Sequence, residues 1–224
     1  MAAVLLLRLA ARCCEARAAS DPAHDISKPS DLNGPSSSIG RGFRLLFSIS
    51  LIDSAARMGF LTFLPFLLEP KGATIAEIGL ALSLVFAGGA AGKLLCGYLG
   101  AWFGMLATVI LTEALTATGI FALLPLSLDT SFLLLSLIGI GLNGTSSVLY
   151  RTVPELVSPE ARTWAFGLFY TGTAGAAALV PPLVGAFSDR FGVPNTMAAI
   201  AIGVLATIPL AIVLNPLLTR QNDS

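Results

Sequence analysis

Six long apolar runs dominate the sequence from about residue 43 onward. They lie near residues 45–67, 78–100, 104–126, 132–153, 164–187 and 195–217. An α-helix rises about 1.5 Å per residue, so about 20 residues cross the roughly 30 Å hydrocarbon layer of a bilayer. Each run has about that length, and the connections between the runs are short. We therefore expect an all-α membrane protein with six transmembrane helices.

The composition agrees with a chain that lies in lipid. Hydrophobic residues make up 55% of the sequence and charged residues only 12%. The 13 basic residues balance the 13 acidic ones, so the net charge gives no reason to expect a nucleic-acid partner. The only histidine, His24, precedes the apolar runs. We expect the lipid bilayer as a partner, and neither a cofactor nor a bound metal.

The first 42 residues differ from the rest. Their second half is rich in Ser, Pro, Asp and Gly, which is typical of a disordered segment. We predict a largely disordered cytoplasmic tail over 1–42, a transmembrane domain over 43–218 and a short cytoplasmic tail over 219–224. Residues 1–20 have too short an apolar core, interrupted by Arg8, to span a membrane. They are either the end of a further helix or an amphipathic targeting segment.

The positions of the positive charges predict the orientation. Lys and Arg residues near helix ends stay preferentially on the cytoplasmic side of a membrane. Placing the N-terminus inside puts most of them there: Arg8, Arg12, Arg17, Lys28, Arg41, Arg44, Lys93, Arg151, Arg162 and Arg220. Only Lys71 and Arg190 then fall outside. We expect a protein of the cell membrane with both termini in the cytoplasm.

An internal repeat relates the two halves of the apolar region. The stretch "CGYLGAWFGM" recurs 88 residues later as "VGAFSDRFGV", which aligns Gly97 with Gly185 and Gly104 with Gly192. This shift spans three helices, and an odd number of crossings turns the second copy upside down. The sequence therefore predicts a 3+3 inverted repeat, as in many secondary transporters. Glycines at such short connections allow a sharp turn and close helix packing.

Both copies resemble a known signature. "GYLGAWFG" and "GAFSDRFG" are similar to the G-x-L-a-D-r-x-G motif of the major facilitator superfamily, and the resemblance covers about 43–217. It implies the C-terminal six-helix half of such a transporter. The first copy has Ala101 and Trp102 where the family has Asp and Arg. The second copy keeps Asp189 and Arg190, which the predicted topology places outside, so we expect them to cap and anchor helix ends.

The resemblance also implies a function. A member of this family is a secondary active transporter that moves a small solute by alternating access, without covalent chemistry. Twelve helices normally form its working unit, so six imply a missing N-terminal half or a second chain. A fragment is the favoured interpretation. In the family, the first and fourth helices of each half line the central cavity.

Two charged residues lie well inside the first span. Asp53 and Arg57 are four residues apart, which places them on one helical face. A charge at the bilayer centre costs about 2.5–3.5 kcal/mol on insertion scales, so such residues normally face a bundle interior or water. The pair either neutralises itself or handles a substrate or coupling ion. The resemblance favours the second interpretation.

The fourth span carries a polar stripe. Its members recur at spacings of three and four: Ser136, Gly139, Asn143, Ser147 and Tyr150. Asn143, Ser147 and Tyr150 are candidates for the solute pathway, and Tyr170 on the fifth span is a further one. The alternative is that these side chains join neighbouring helices by hydrogen bonds.

Glu113, inside the third span, is an acid without a cation nearby in the sequence. A carboxyl group in this position is a candidate proton carrier. The corresponding helix in the resembled family packs outside the cavity, which favours a structural hydrogen bond instead. Gly88 and Gly92 form a G-x-x-x-G face, which predicts close packing of the second span against another helix.

Two rival functions remain. Ser146 and Ser147 could be nucleophiles of an intramembrane serine protease, but such a protease needs a base beside its serine, and the apolar region has no histidine. The protein is therefore not expected to be an enzyme. A membrane scaffold or receptor without transport activity is the other rival.

Overall fold

The computed structural model describes residues 40–222, and the predicted tail over 1–42 lies almost wholly outside them. The helices are α1 (Arg41–Leu68), α2 (Ile75–Trp102), α3 (Gly104–Leu123), α4 (Leu128–Thr152), α5 (Arg162–Phe191), α6 (Val193–Leu205) and α7 (Thr207–Asn222). The described residues contain no strand. They form six segments long and apolar enough to cross a membrane, the sixth made of α6 and the start of α7. The all-α fold with six spans is thus confirmed.

Several helix ends differ from the predicted bounds by a few residues. The third run was expected to reach residue 126, but α3 ends at Leu123, two residues before Pro125. Leu124, the residue before the proline, still has φ and ψ of −60° and −52°, so the chain departs from the helical conformation only after it. At the termini, α1 begins at Arg41 and α7 continues through Asn222, past the predicted domain bounds of 43 and 218.

The sixth span is interrupted. Ala206 separates α6 from α7, and Pro209 follows three residues later. Proline has no N–H to bond the carbonyl four residues earlier, and its ring collides with that carbonyl, which breaks or bends a helix. Pro209, in the first turn of α7, therefore accounts for the interruption. Pro181 and Pro182, in contrast, lie inside the continuous helix α5.

The helices of each repeat are joined by very short turns. One residue, Phe103, separates α2 from α3, and one residue, Gly192, separates α5 from α6. Gly104 and Gly192, which the repeat aligns, both have positive φ, 79° and 84°. Residues with a side chain rarely adopt this conformation, so the turns depend on glycine as expected.

Close packing of α2 against α4 depends on small residues. A Cβ atom added at Gly88 would collide with the backbone carbonyl of Ser136, and one added at Gly92 would collide with that of Ile140. From the other side, Gly139 on α4 lies equally close to the backbone of Val85. The G-x-x-x-G prediction is therefore confirmed, and its partner is α4.

Helix contacts follow the inverted repeat. In the repeat, α1 corresponds to α4, and α2 corresponds to α5. Accordingly, α4 packs on α2 while α1 packs on α5. Similarly, α4 packs on α3 while α1 packs on α6 and α7. The third and sixth spans contact each other at the centre. Each helix contact in one repeat thus has a counterpart in the other, as a 3+3 inverted repeat requires.

One side chain ties the ends of α1 and α3 together. After α1, Lys71 donates hydrogen bonds from Nζ to the carbonyl oxygens of Leu123 and Leu126, at 2.6 and 2.7 Å. Carbonyls at a helix C-terminus have no partner inside the helix, and the partial negative charge there favours a cation. Lys71 therefore stabilises the end of α3.

Large apolar side chains cover the outside of the bundle. Examples that are at least half exposed are Leu94, Tyr98, Trp102, Leu133, Leu179 and Leu183. A water-soluble monomer rarely exposes so much contiguous apolar surface, whereas lipid tails accept it. The span that contains α5 is the least buried of the six.

Candidate functional site

A cavity of about 530 Å³ opens between α1, α2, α4 and α5. The side chains around it are Ser54, Arg57, Lys93, Ser146, Ser147, Tyr150, Tyr170, Thr173, Ala174 and Ala177. Four of them, Arg57, Ser147, Tyr150 and Tyr170, are residues that the sequence singled out. The structure thus brings predicted site residues from three different helices to one place.

The charged pair on α1 stands at the floor of this cavity. Asp53 is buried, with 5% of its surface exposed, whereas Arg57 is half-buried and lines the cavity. Arg57 Nη2 donates a hydrogen bond of 3.2 Å to Ser54 Oγ, and the positive charge of Arg57 acts on Asp53. Residues three and four apart on a helix face the same side, which explains this grouping.

The opposite wall comes from α4 and α5. The hydroxyl groups of Tyr150 and Thr173 lie 3.3 Å apart and form a hydrogen bond between the two helices. The ring of Tyr150 packs edge-on against Phe169, with 4.9 Å between the centroids. Ser146 Oγ donates to the carbonyl of Asn143 at 2.9 Å. Tyr170 stands at the rim with 67% of its surface exposed.

Asn143 lies outside the cavity lining. It is buried between α4 and α2, where a Cβ atom added at Gly89 would collide with its amide group. Its Nδ2 atom donates a long hydrogen bond of 3.4 Å to the carbonyl of Gly139. Asn143 therefore packs against α2, while this hydrogen bond of its side chain stays within α4.

Glu113 is buried at the meeting point of three spans, with 2% of its surface exposed. The hydroxyl groups of Thr145 on α4 and Thr207 on α7 interact with its carboxyl group, and the charge of Asp53 also acts on it. Among the described residues, its Oε1 atom has no hydrogen-bond partner. Glu113 is therefore an interior acid with unused hydrogen-bonding capacity, close enough to Asp53 to sense its charge.

A small pocket links Asp53 to the main cavity. It holds about 20 Å³, which is room for about one water molecule. Asp53 lines it together with residues that also line the main cavity, among them Arg57 and Tyr150. Asp53 is thus separated from the main cavity only by side chains that line both spaces.

The motif residues lie away from the main cavity. Gly97 and Gly104 border a separate cavity of about 240 Å³ near the end of α4. A Cβ atom at Gly97 would meet no heavy atom within 4 Å, so the expected close packing is absent at this glycine among the described residues. Gly185 lies at contact distance from Phe63, whose Cζ atom would be 4.0 Å from an added Cβ.

The second motif copy ends on the surface. Asp189 and Arg190 are both exposed near the end of α5. The guanidinium carbon of Arg190 lies 5.9 Å from the centre of the Phe191 ring, a cation–π distance. Arg190 also occupies the last turn of its helix, where a cation is favourable. This placement fits anchoring of a helix end.

Sequence reasoning missed several lining residues: Ser54, Lys93, Ser146 and Thr173. Two of them had a usable signal in their spacing. Ser54 precedes Arg57 by three positions, Thr173 follows Tyr170 by three, and both spacings share a helix face. For Lys93, the sequence predicts only a place on the cytoplasmic side and gives no sign that it faces a cavity.

The comparisons with known proteins agree with this architecture. No curated protein was found to match the sequence. The family model that matches is that of the Major Facilitator Superfamily, and it covers residues 46–223. This match includes all six spans and is the size of half a transporter of that family. The chain therefore belongs to the Major Facilitator Superfamily of secondary transporters, generally proteins without enzymatic activity, as a multi-pass membrane protein with a six-helix half of that fold.

Proposed function

We propose that this chain moves a small solute across the cell membrane by alternating access, through the cavity of about 530 Å³. The observation that supports this function is the lining. Polar and charged side chains from α1 and α4 meet there and face one open space. These two helices correspond to each other in the inverted repeat, and transporters of this kind hold their solute at such a repeat interface.

The cavity has the chemistry of a site for a polar solute. Arg57 offers N–H donors beyond the one that it gives to Ser54, because a guanidinium group has five. Ser147 and Tyr150 add hydroxyl groups that can donate or accept. A volume of several hundred Å³ suits a small molecule rather than a peptide. A solute can thus exchange its hydration for protein hydrogen bonds inside the membrane.

The proposal includes a second six-helix half. Lys93 on the cavity wall is exposed, and a charged group at this depth normally faces protein or water rather than lipid. A second half that covers this face would enclose the solute between two bundles. It is either an N-terminal six-helix unit or another chain.

Proton coupling is a second element of the proposal. Asp53 and Glu113 are two buried acids close enough for a charge on one to act on the other, and the small pocket at Asp53 shares lining residues with the main cavity. Protonation of either acid relieves their mutual repulsion and changes the charge opposite Arg57. A proton gradient could in this way bias which side the cavity faces.

A transport assay tests the function. Proteoliposomes that contain this chain together with a second six-helix half are supplied with radiolabelled benzoate, glucose and choline, and uptake is compared with that of empty liposomes. We expect uptake of at least one probe, and a loss of about tenfold or more in Asp53→Asn and Arg57→Gln. The exposed residues Asp129 and Arg44 provide matched controls, because Asp129→Asn and Arg44→Gln should keep full uptake.

The same experiment separates the rivals. An assembled complex that binds its second half but moves no probe would favour a scaffold or receptor. Hydrolysis of a membrane substrate that disappears in Ser147→Ala would favour a protease. Transport by the strictly monomeric chain would refute the second-half element of the proposal.

Orientation is tested separately. We propose that both termini lie in the cytoplasm, which is supported by the positive charges near the helix ends. A single cysteine introduced at Ser36 or Ser224 in a cysteine-free background should react with a membrane-impermeant maleimide only after the cell membrane is opened. Labelling of either position in intact cells would contradict this orientation.

A further inference from the structure

The main cavity is lined by positive charge without an acidic counterpart. Among the described residues around it, Arg57 and Lys93 are cations and none is an Asp or Glu. The nearest acid, Asp53, is buried beneath the lining and lies one turn from Arg57, whose charge it offsets. Lys93 lies on a different helix, α2, and its charge remains in excess.

An uncompensated cation at this depth requires a counter-charge. Lys93 is the nineteenth of the 28 residues of α2, so it lies within the membrane-spanning length of the helix. A charge inside the bilayer is costly unless water or an opposite charge accompanies it. In the cavity, water can meet that need, and a negatively charged solute would meet it better.

The remaining lining groups suit an oxyanion. Six hydroxyl side chains face the same space: Ser54, Ser146, Ser147, Tyr150, Tyr170 and Thr173. Hydroxyl and guanidinium groups donate hydrogen bonds to carboxylate, phosphate or sulfate oxygens, and such charge-assisted bonds are about twice as strong as neutral ones. A cationic solute would meet two like charges and would find no carboxylate in the lining.

We infer that the solute of this cavity is a small oxyanion, held between Arg57 and Lys93. Arg57 presents its planar fork to two oxygens of the anion, and Lys93 provides a second positive charge from the facing helix. This inference rests on the proposed transport function, since it names the chemical class of the solute. Carboxylate, phosphate and sulfate share the required chemistry.

Binding to the purified chain tests the inference without any transport. Benzoate, benzamide and benzamidine have almost the same shape and carry charges of −1, 0 and +1. Each is titrated at equal ionic strength into the full chain in detergent, and the shift of the thermal unfolding midpoint is measured. Inorganic phosphate and sulfate are titrated in parallel to identify which oxyanion is preferred.

We expect at least one of benzoate, phosphate and sulfate to raise the midpoint, while benzamide and benzamidine leave it unchanged. Arg57→Gln and Lys93→Gln should each weaken the apparent affinity about tenfold or more, because each removes a charge-assisted contact. Arg44→Gln removes a cation from the exposed face of α1 and should keep the affinity. Circular dichroism verifies that every variant remains helical.

Three results would overturn the inference. The first is that none of the three anions shifts the midpoint of the wild-type chain. The second is an equal or larger shift with benzamide or benzamidine. The third is an anion effect that persists in the double variant Arg57→Gln/Lys93→Gln, which would place the anion outside this cavity.

Failure of the inference and failure of the transport proposal give different results. Anion binding that depends on Arg57 and Lys93, without any solute uptake in proteoliposomes, would keep the site and reject the transporter. Uptake of glucose or choline that depends on the cavity, without anion binding, would keep the transporter and reject the oxyanion.

Discussion

Gly104 and Gly192 lie 88 residues apart, and both have a positive φ angle, of 79° and 84°. They lie at the junctions between α2 and α3 and between α5 and α6. The second has ψ of 158°, a combination that is essentially restricted to glycine. Two equivalent turns of one inverted repeat have therefore kept the same conformational requirement, although the residues around them differ.

This requirement predicts the effect of alanine at Gly192. Gly192→Ala should destabilise the protein by about 1–3 kcal/mol, because a side chain strains this backbone conformation. Gly97→Ala is the matched control from the motif. Its Cβ would enter open space inside a helix, so the variant should be neutral or more stable by up to about 1 kcal/mol. Urea unfolding in detergent, followed by circular dichroism, measures both; equal effects of the two substitutions would contradict the prediction.

A second prediction concerns the α2–α4 contact. Gly88→Ala should cost about 1–3 kcal/mol, because the new Cβ would collide with the carbonyl of Ser136, which is backbone and cannot rotate away. Gly79→Ala lies on the same helix in open space and serves as the control. The thermal midpoint in detergent should fall for the first variant only. An unchanged midpoint for Gly88→Ala would show that the two helices can separate without cost.

A third prediction concerns the link from α1 to α3. Lys71→Gln removes two charged hydrogen bonds to Leu123 and Leu126, so we expect a loss of about 1.5–3 kcal/mol in the free energy of unfolding. Arg44→Gln, an exposed substitution on α1, should change it by less than about 0.5 kcal/mol. The comparison is made by urea unfolding. A loss for Lys71→Gln within that control range would mean that water replaces the lysine at the end of α3.

The pair Asp53 and Arg57 predicts a non-additive double variant. Arg57→Gln leaves the buried Asp53 without its counter-charge, whereas the double variant Asp53→Asn/Arg57→Gln removes both charges. The double variant should therefore lose less stability than the sum of the single ones, by about 1 kcal/mol or more. A double-mutant cycle of unfolding free energies measures the difference. Strict additivity would show that the two charges act independently.

Glu113 predicts a split between two modes of transport. Glu113→Gln keeps the size of the side chain but cannot release a proton, so uptake driven by a pH gradient should fall about tenfold or more, while exchange of labelled for unlabelled solute continues. Glu69→Gln, at an exposed acid after α1, should affect neither. Flux assays in proteoliposomes with and without a pH gradient separate the two modes. Unchanged gradient-driven uptake in Glu113→Gln would remove it from proton coupling.

The fold could be predicted from sequence because its physical causes are local. Runs of about 20 apolar residues are sufficient to define the spans. Gly88 and Gly92 predict a close helix contact but do not indicate which helix is the partner. The break at Ala206 was also foreseeable, since Pro209 cannot complete the helix ladder. These inferences needed only the neighbouring residues in the chain.

The site was predicted only in part because its causes are not local. Lys93 lies on a helix that is apolar on all sides, so nothing in its own segment shows which face meets α4 and α5. Asn143 was singled out by its spacing in the polar stripe, yet the rotation of α4 turns it towards Gly89 rather than the cavity. Which polar residue faces which neighbour is decided by packing between helices that are distant in sequence.

The interruption at Ala206 divides the sixth crossing into two helices, α6 and α7. Helix α6 contacts α1 through residues such as Ile200. Helix α7 begins at Thr207, whose hydroxyl group interacts with the carboxyl group of Glu113. Helix α7 can tilt without the same tilt in α6, because no continuous series of helical backbone hydrogen bonds connects the two. A change of charge at Glu113 would therefore act directly on α7, which can tilt relative to α6 more easily than the end of one continuous helix could.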